Sequence, residues 1–378
     1  MSKKHQKHAK ITKPKLGVYA RTELSLLGTP CGAIKNIVAH LHHVLSPTSN
    51  IAYVDADHHN ADEETPLAKS NLSTGNQLAF TDKIGYHQIE TLALLNPWTQ
   101  KEIFKDQDLV LVNGNHFEAA CQILIIDSRK SLEKKLHKLT DVRAIIFQKG
   151  EHVIPDYLLK HNPNLPNLPA FDVENLTALA EWVKNFVAQN SPVLHGLVLS
   201  GGKSERMQRD KSLIDYHGKS QKQHMYQLLH PYTDKTYYAI REDQAADTES
   251  IQDSFTGLGP YGAILSAFRE HPDAAWLVTA CDQPFLTEEI IQQLITRRNT
   301  SKVATAFYNP DTDFPEPLVT IWEPKAYTYM LAFLAQGYSC PRKVLINTDI
   351  ELVHLKDASV LRNVNTPEEY QQAIHELK

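Results

Sequence analysis

The chain has 378 residues, of which 42% are hydrophobic and 22% are charged. These proportions exclude a wholly disordered or fibrous protein, and the length predicts two or three domains. The formal net charge of -5 at pH 7 argues against broad nucleic-acid binding, because neutralising phosphates requires a basic surface. No apolar run approaches the roughly 20 residues of a membrane-spanning helix. We therefore expect neither a nucleic-acid partner nor a membrane partner.

The first residues and the cysteines both point to the cytoplasm. Residues 1–15 contain six lysines and no acidic residue, and they lack the apolar segment of a secretion signal. We expect residues 1–13 to form a disordered, solvated basic tail. The four cysteines form no C-x-x-C pair, which is typical of free thiols in a reducing compartment.

The first half of the chain has the pattern of an α/β domain. A short apolar run at 16–19 precedes a turn over 28–35 and a helix over 36–45. Continuous apolar runs predict strands at 51–55, 108–113, 122–127 and 142–147. Runs that do not alternate with polar residues are typical of strands covered on both faces. We therefore predict a doubly wound, three-layer domain over residues 14–152.

Residues 153–192 are predicted to form a linker followed by a helix. Three prolines at three-residue spacing lie in 161–169, which indicates a loop. Asp172 is the candidate N-cap of a helix that extends to Gln189. Asn190-Ser-Pro192 ends this helix, so we place the start of the second domain at Val193.

The second half also alternates strands and helices, which again predicts a doubly wound, three-layer sheet. The strands are expected at 193–199, 236–240, 275–280 and 302–307, and helices at 261–270 and 287–298. In such sheets ligands bind beyond the carboxyl ends of the strands. Polar residues that directly follow a strand are therefore the candidates for a functional site.

The first strand of this half is followed by a glycine-rich basic segment. Gly201 and Gly202 allow a sharp turn that exposes backbone N–H groups to an anion. The cations that follow within ten residues are Lys203, Arg206, Arg209 and Lys211. Backbone donors and cations at one strand end predict a polyphosphate cradle. A plain turn before a surface helix is the alternative.

Asp282 directly follows the predicted strand at 275–280. A carboxylate there is a candidate ligand for Mg²⁺, a hard cation that prefers oxygen ligands and bridges to substrate phosphates. Alternatively, Asp282 caps the next helix or belongs to a turn before Pro284. The carboxylate and the cationic glycine segment together favour nucleotide chemistry.

Residues 196–213 resemble the nucleotide-binding signature of the MobA-like nucleotidyltransferases. The family pattern L-x-G-G-x-S-x-R-M-G-x-D-K-x-L is matched by Leu199, Gly201, Gly202, Ser204, Arg206, Met207, Asp210, Lys211 and Leu213. Gln208 stands where the family has glycine. Further similarity follows in chain order at Asp253, Gly259-Pro-Tyr-Gly262, Cys281–Phe285, Phe314–Leu318, Ser339–Arg342 and Asn363–Pro367.

This resemblance implies a Rossmann-like nucleotidyltransferase domain over 193–378 that acts in molybdenum cofactor biosynthesis. The implied reaction is Mg²⁺-dependent transfer of GMP from GTP to molybdopterin, with release of pyrophosphate. Molybdoenzymes or cofactor-insertion proteins are the implied protein partners. The alternatives are transfer from CTP, transfer to a sugar phosphate, and a non-enzymatic scaffold for cofactor delivery.

The resemblance also implies residue roles. The implied nucleotide-binding residues are Leu199, Gly201, Gly202, Ser204, Arg206, Lys211, Asp253 and Gly259. Arg206 is expected to neutralise the leaving pyrophosphate, Lys211 to stabilise charge at the α-phosphate, and Asp282 to hold Mg²⁺. Asp253 is expected either to contact the base or to assist the metal.

Residues 14–152 resemble a degenerate MobB-like P-loop domain. Asp108–Glu118 is similar to the D-L-V-L-V-E-G-F-K-H segment of these GTP-binding proteins, with Asn113 in place of glutamate. In the P-loop pattern G-x-x-x-x-G-K-[ST], Gly32 comes one residue early, Lys35 stands three residues further on and Asn36 replaces Ser/Thr. The resemblance implies either an adaptor domain or a second nucleotide site at Gly28, Gly32 and Lys35.

Overall fold

A computed structural model describes residues 11–57, 70–201, 210–244, 246 and 249–377. Residues 1–10 of the predicted tail lie outside this part of the chain. The chain forms two compact units, Leu16–Asn190 and Ser191–Lys378, and the described residues before Leu16 belong to the second. Within the described residues, no helix has the length and apolar character needed to cross a membrane.

The first unit is built on a parallel sheet. Its elements are β1 (Glu23–Leu27), α1 (Cys31–Leu45), β2 (Ile51–Val54), β3 (Leu78–Asp82), β4 (His87–Thr91), α2 (Pro97–Ile103), β5 (Leu109–Asn113), β6 (Cys121–Ile126), β7 (Val142–Phe147), α3 (Asp156–His161), β8 (Ala170–Asp172) and α4 (Leu176–Gln189). Six strands form a sheet in the order β2-β5-β1-β6-β7-β8, and all of its neighbouring strands are parallel. β3 and β4 form a separate antiparallel hairpin.

The continuous apolar runs are explained by a sheet that is covered on both faces. In β5, Leu109 and Leu111 pack in the same core as α1 and α4, whereas Val110 and Val112 point to the opposite side. Leucines between residues 132 and 165 cover a second part of that opposite side. The predicted three-layer architecture is therefore confirmed for this unit.

The start of the first unit differs from the prediction. The first strand is β1, where the sequence predicted no strand, and it opens with a charged residue. The Glu23 carboxylate is buried and accepts hydrogen bonds from the backbone N–H groups of Val18, Tyr19 and Ala120. A buried acid of this kind interrupts the apolar pattern but is stabilised by backbone donors. The next helix, α1, begins at Cys31, so the predicted turn over 28–35 is largely helical.

Residues 153–192 differ from the expected linker because part of the segment joins the first unit. β8 extends the sheet beside β7, and α4 contributes Leu179, Ala180 and Val183 to the core. The N-cap of α4 is Asn175, whose side chain accepts a hydrogen bond from the Ala178 N–H at 3.3 Å. Asp172 lies in β8 instead.

The second unit has a mixed sheet with helices on both faces. Its elements are β9 (Leu194–Leu199), α5 (Gln221–Leu229), β10 (Lys235–Ile240), β11 (Ser250–Gln252), α6 (Pro260–Glu270), β12 (Ala275–Ala280), α7 (Glu288–Thr296), β13 (Ala304–Asn309), β14 (Phe314–Trp322), α8 (Lys325–Ala335), α9 (Pro341–Ile346), β15 (Ile350–Val353) and α10 (Pro367–Glu376). The strand order is β11-β10-β9-β12-β14-β13-β15, and only β14 runs antiparallel to its neighbours. α6, α8 and α9 cover one face, and α5 and α7 cover the other.

The strand order of the second unit reverses beside β9. The chain moves outward from β9 to β10 and β11, and then returns to the other side of β9 to form β12. In α/β sheets ligands bind in the crevice that such a reversal opens at the carboxyl ends of the strands. Here these strand ends lead into Ser200-Gly201 and Cys281-Asp282.

Candidate functional site

A pocket lies beyond the carboxyl ends of β9 and β12. Its cavity volume is about 230 Å³. The predicted site residues that line it are Leu199, Gly201, Lys211, Asp253, Gly259 and Asp282. These residues come from widely separated parts of the chain, so the fold brings them together. Gly202, Ser204 and Arg206 lie outside the described residues.

The end of β9 is held close to the end of β10. The Ser200 hydroxyl donates a hydrogen bond to the Ala239 carbonyl at 2.9 Å, and the Arg241 guanidinium donates one to the Gly201 carbonyl at 3.1 Å. A Cβ atom on Gly201 would lie 3.2 Å from Cγ of Arg241. Little room is therefore left for a side chain where the glycine segment begins.

Lys211 is positioned by a short capped helix. Lys211–Leu213 form one 3₁₀ turn, and the carboxylate of Asp210 accepts hydrogen bonds from the backbone N–H and the hydroxyl of Ser212. The Lys211 ammonium donates to the side-chain carbonyl of Asn365 at 2.6 Å. Its Nζ atom also lies 3.8 Å from Oδ2 of Asp282. The lysine therefore brings a positive charge to the end of β12.

Asp282 has one carboxylate oxygen near a lysine and one oxygen without a partner in the described part of the chain. Its side chain is 22% exposed, and its Oδ1 atom is buried with no hydrogen-bond partner among the described residues. Burial raises the pKa of Asp282, and the charge and hydrogen bond of Lys211 oppose this shift. Buried polar atoms are usually paired, so an unpaired one in a pocket indicates a site for a ligand.

Asp253 is the second acid of the pocket. It directly follows β11, and its backbone N–H donates to the Ile240 carbonyl at 2.9 Å. Its Oδ1 atom is buried and has no hydrogen-bond partner in the described part of the chain. Burial, assisted by the charge of Glu242, raises the pKa of Asp253 to about 6.

Glu316 is a buried carboxylate to which the sequence analysis assigned no role. It lies on β14, is 3% exposed, and accepts hydrogen bonds from the Asn309 amide at 3.2 Å and the Leu318 N–H at 3.3 Å. Burial raises its pKa, Arg342 on α9 opposes this shift, and the charge of Asp282 adds to it. The sequence signal that could have identified Glu316 is its position between two prolines, in the segment Phe314–Leu318 that is similar to the family. Asn365 was likewise part of a matched segment without an assigned role.

The residues of the predicted second nucleotide site do not share one loop. Gly28 follows β1, whereas Gly32 and Lys35 both lie within α1. The lysine of a P-loop reaches the phosphates of the nucleotide. Here the Lys35 ammonium lies 3.6 Å from a carboxylate oxygen of Asp55. Nucleotide binding by these residues therefore stays a prediction, without the expected loop geometry to support it.

Asn113, which replaces the family's glutamate, also contacts Asp55. Its amide donates to Oδ1 of Asp55 at 2.7 Å, and the Tyr53 hydroxyl donates to Oδ2 at 3.0 Å. Burial alone would raise the pKa of Asp55, but hydrogen bonds from Ala56, Asn113 and Tyr53 hold it below the usual value. A glutamate at position 113 would place a second negative charge against Asp55. The asparagine is therefore consistent with this local network.

Comparison with known proteins defines the class of the second unit. Residues 196–351 match the family model described as "MobA-like NTP transferase domain". Most of the second unit therefore matches the model of this family, which confirms the resemblance found in the sequence.

Two relatives of this chain are named for molybdenum cofactor biosynthesis. The chain is 34% identical over 184 residues to the "Molybdenum cofactor biosynthesis bifunctional protein" of Synechocystis sp.. This match covers 47% of this chain and 53% of the relative. The match thus spans about half the length of that relative. The chain is also 27% identical over 188 residues to the "Molybdenum cofactor guanylyltransferase" of Xanthomonas euvesicatoria. This match covers 48% of this chain and 94% of the relative.

Solved structures of MobB proteins are also similar to this chain. The crystal structure of MobB from Bacillus subtilis superposes with a TM-score of 0.33 at 16% sequence identity. The superposition covers 43% of this chain and 96% of that structure.

Proposed function

We propose that the chain is a molybdenum cofactor guanylyltransferase, which transfers GMP from GTP to molybdopterin. The observation that carries the proposal is the meeting of Lys211 and Asp282 in the pocket at the strand-order reversal, within a MobA-like NTP transferase domain. The guanylyl group and the molybdopterin acceptor are proposed from the names of the relatives. We place the reaction in the cytoplasm because the cysteines are free thiols.

The reaction needs positioning and charge stabilisation, and it needs no side-chain nucleophile. An oxygen of the acceptor phosphate attacks the α-phosphorus of GTP, a new P–O bond forms, and the bond to the β-phosphate breaks as pyrophosphate leaves. The Lys211 ammonium is proposed to offset the negative charge that develops at the α-phosphate. The backbone at Gly201 and Gly202 and the side chains of Ser204 and Arg206 are proposed to hold the phosphates and the leaving group.

Asp282 is the proposed ligand for Mg²⁺. Its buried Oδ1 atom has no hydrogen-bond partner among the described residues, and a carboxylate oxygen is the donor that Mg²⁺ prefers. When bound, the ion supplies charge neutralisation to the phosphate oxygens. Asp253, whose Oδ1 atom is also unpartnered in the described chain, is proposed to contact the base or to assist in holding the metal.

The proposed function is tested by measuring pyrophosphate release from GTP, CTP, ATP and UTP with molybdopterin as acceptor. We expect release with GTP and Mg²⁺, and none when molybdopterin is omitted. A preference for CTP would change the function to cytidylyl transfer. Release with a sugar phosphate but not with molybdopterin would change the acceptor. No release with any nucleotide would favour the cofactor-delivery scaffold.

Replacing Asp282 by asparagine tests the metal assignment directly. Asparagine has nearly the same shape but lacks the negative charge that attracts the cation, so we expect kcat to fall by at least about 100-fold. The control is Glu289→Gln, which removes a carboxylate from an exposed position of α7 and should leave kcat unchanged. Circular dichroism checks that both variants fold. Asp282→Asn with nearly full activity would contradict the assignment.

The first unit is proposed to be an adaptor in the delivery of molybdopterin or of the finished cofactor. The pairing of Lys35 with Asp55 favours this role over nucleotide binding, because the ammonium group faces a carboxylate of its own chain. Molybdoenzymes or cofactor-insertion proteins remain the proposed recipients. Calorimetry with GTP on the full chain tests the adaptor role. We expect one GTP site, and a second site would restore the nucleotide-binding alternative.

A further inference from the structure

A thiol and an imidazole lie in contact in the first unit, away from the pocket described above. The Sγ atom of Cys31 is 3.2 Å from Nε2 of His116. Cys31 is the first residue of α1, and His116 follows the carboxyl end of β5. Both residues are partly exposed.

Polar groups surround the sulfur and hold it in place. The Asn115 amide donates to Cys31 Sγ at 3.6 Å and to the Thr29 carbonyl at 2.9 Å. The backbone carbonyl of Asn115 accepts a hydrogen bond from the Lys138 ammonium at 2.8 Å. Lys130 also interacts electrostatically with Cys31. The sulfur therefore has a hydrogen-bond donor in the Asn115 amide and the charge of Lys130 in its surroundings.

The other three cysteines have different surroundings. Cys281 is buried, and burial raises its pKa. Burial also raises the pKa of Cys121, and the nearby charge of Asp141 adds to the shift. Cys340 is the most exposed of the four. Cys31 differs from these three cysteines because, among the described residues, its sulfur contacts a histidine.

We propose that Cys31 is a reactive thiol with His116 as its base, and that hydroperoxides modify the protein at this residue. A nucleophile within hydrogen-bond reach of an imidazole is the usual arrangement of an activated thiol. Cys31 gives its proton to His116 and attacks one oxygen of the peroxide. The S–O bond forms and the O–O bond breaks. The leaving oxygen takes the proton from His116 and departs as water or an alcohol, so the sulfur is oxidised to a sulfenic acid and the peroxide is reduced.

The test exposes the full chain to limiting hydrogen peroxide and traps sulfenic acids with dimedone. Mass spectrometry then gives the rate of modification at each cysteine. We expect Cys31 to react at least about tenfold faster than Cys340, although Cys340 is more exposed. Equal rates, or a faster reaction at Cys340, would overturn the proposal. This comparison uses the unmodified protein and does not depend on the folding of a variant.

Two variants then separate the base from the general surroundings. His116→Gln should slow the modification of Cys31 by about tenfold and leave the rate at Cys340 unchanged. The matched control is His43→Gln, an exposed histidine in the last turn of α1, which should change neither rate. Hydrogen exchange in peptides of the first unit checks the fold. An unchanged rate at Cys31 in folded His116→Gln would show that His116 is not the base.

Discussion

Asp253 and Asp282 each bury a carboxylate oxygen that has no hydrogen-bond partner in the described chain. Leaving a buried polar group unpaired costs on the order of 1–3 kcal/mol of folding free energy. Both residues line the same pocket, so this cost is concentrated at one place in the fold. A fold that carries such a cost at a strand-order reversal is consistent with a ligand that supplies the missing contacts.

The cost at Asp253 is expected to depend on pH. Its pKa is raised from 3.8 to about 6 by burial and by Glu242, so the folded state binds the proton more tightly than the unfolded state. The stability of the second unit should therefore fall as the pH rises through about 6. Asp253→Asn never ionises, so it should be more stable than the natural protein at pH 7.5, by an amount on the order of 1–3 kcal/mol. Below about pH 4 the two proteins should be equally stable.

Urea unfolding at pH 4 and pH 7.5 measures this difference. The control is Asp349→Asn, which changes an exposed acid and should show no comparable pH-dependent gain. An Asp253→Asn variant that is less stable than the natural protein at pH 7.5 would contradict the assignment of an uncompensated charge.

At the scale of elements, the turn from β1 to α1 depends on Gly28. Its backbone has φ of +101°, which favours glycine, and a Cβ atom there would lie 2.3 Å from the Ile125 carbonyl oxygen on β6. A Cβ on Gly32, in the first turn of α1, would meet none of the described residues within 4 Å. Gly28 and Gly32 belong to the same sequence motif, but the backbone requires glycine at position 28 and does not require it at position 32.

Alanine substitutions test this difference. Gly28→Ala should destabilise the first unit by roughly 2–4 kcal/mol, because it adds both backbone strain and a steric clash. Gly32→Ala should be neutral or slightly stabilising, since alanine favours a helix and has room there. Hydrogen exchange in peptides from residues 16–190 measures the effect on this unit. Equal effects of the two substitutions would contradict the proposed role of Gly28.

At the scale of the whole molecule, each unit has its own sheet and its own hydrophobic cores. No strand of either sheet comes from the other unit in the described chain. We therefore expect residues 16–190 and 191–378 to fold as separate fragments, each with cooperative unfolding followed by circular dichroism. The fragment 191–378 should retain nucleotidyl transfer if the pocket alone performs it. A fragment without cooperative unfolding would show that the units depend on each other.

The two fragments also test why one chain carries both units. If the first unit delivers the acceptor, covalent linkage raises its local concentration near the second unit. At low micromolar concentration, the intact chain should then turn over faster than an equimolar mixture of the fragments. Equal rates would contradict the delivery hypothesis and leave the transferase proposal intact.

Most strands were predictable because they are short apolar runs buried on both faces. β7 and β12 have the predicted ends, since most residues of each strand enter two cores, although Arg143 in β7 is exposed. β1 was missed because Glu23 and Ser25 interrupt its pattern. β8 was missed because three residues give too little periodicity, and its pairing with β7 decides that it is a strand. The placement of antiparallel β14 between β12 and β13 is also a tertiary result.

The motif match over residues 196–213 supplied the resemblance to the MobA-like nucleotidyltransferases, and the rest of the sequence predicted the α/β class and many of the residues that line the pocket. These follow from local patterns, namely apolar periodicity, glycines at a strand end and an acid after a strand. The contacts of Lys211 with Asn365 and Asp282, and of Cys31 with His116, become visible only in the folded chain. These partners are far apart in the chain, so their contact depends on strand order and helix packing, which no local pattern specifies.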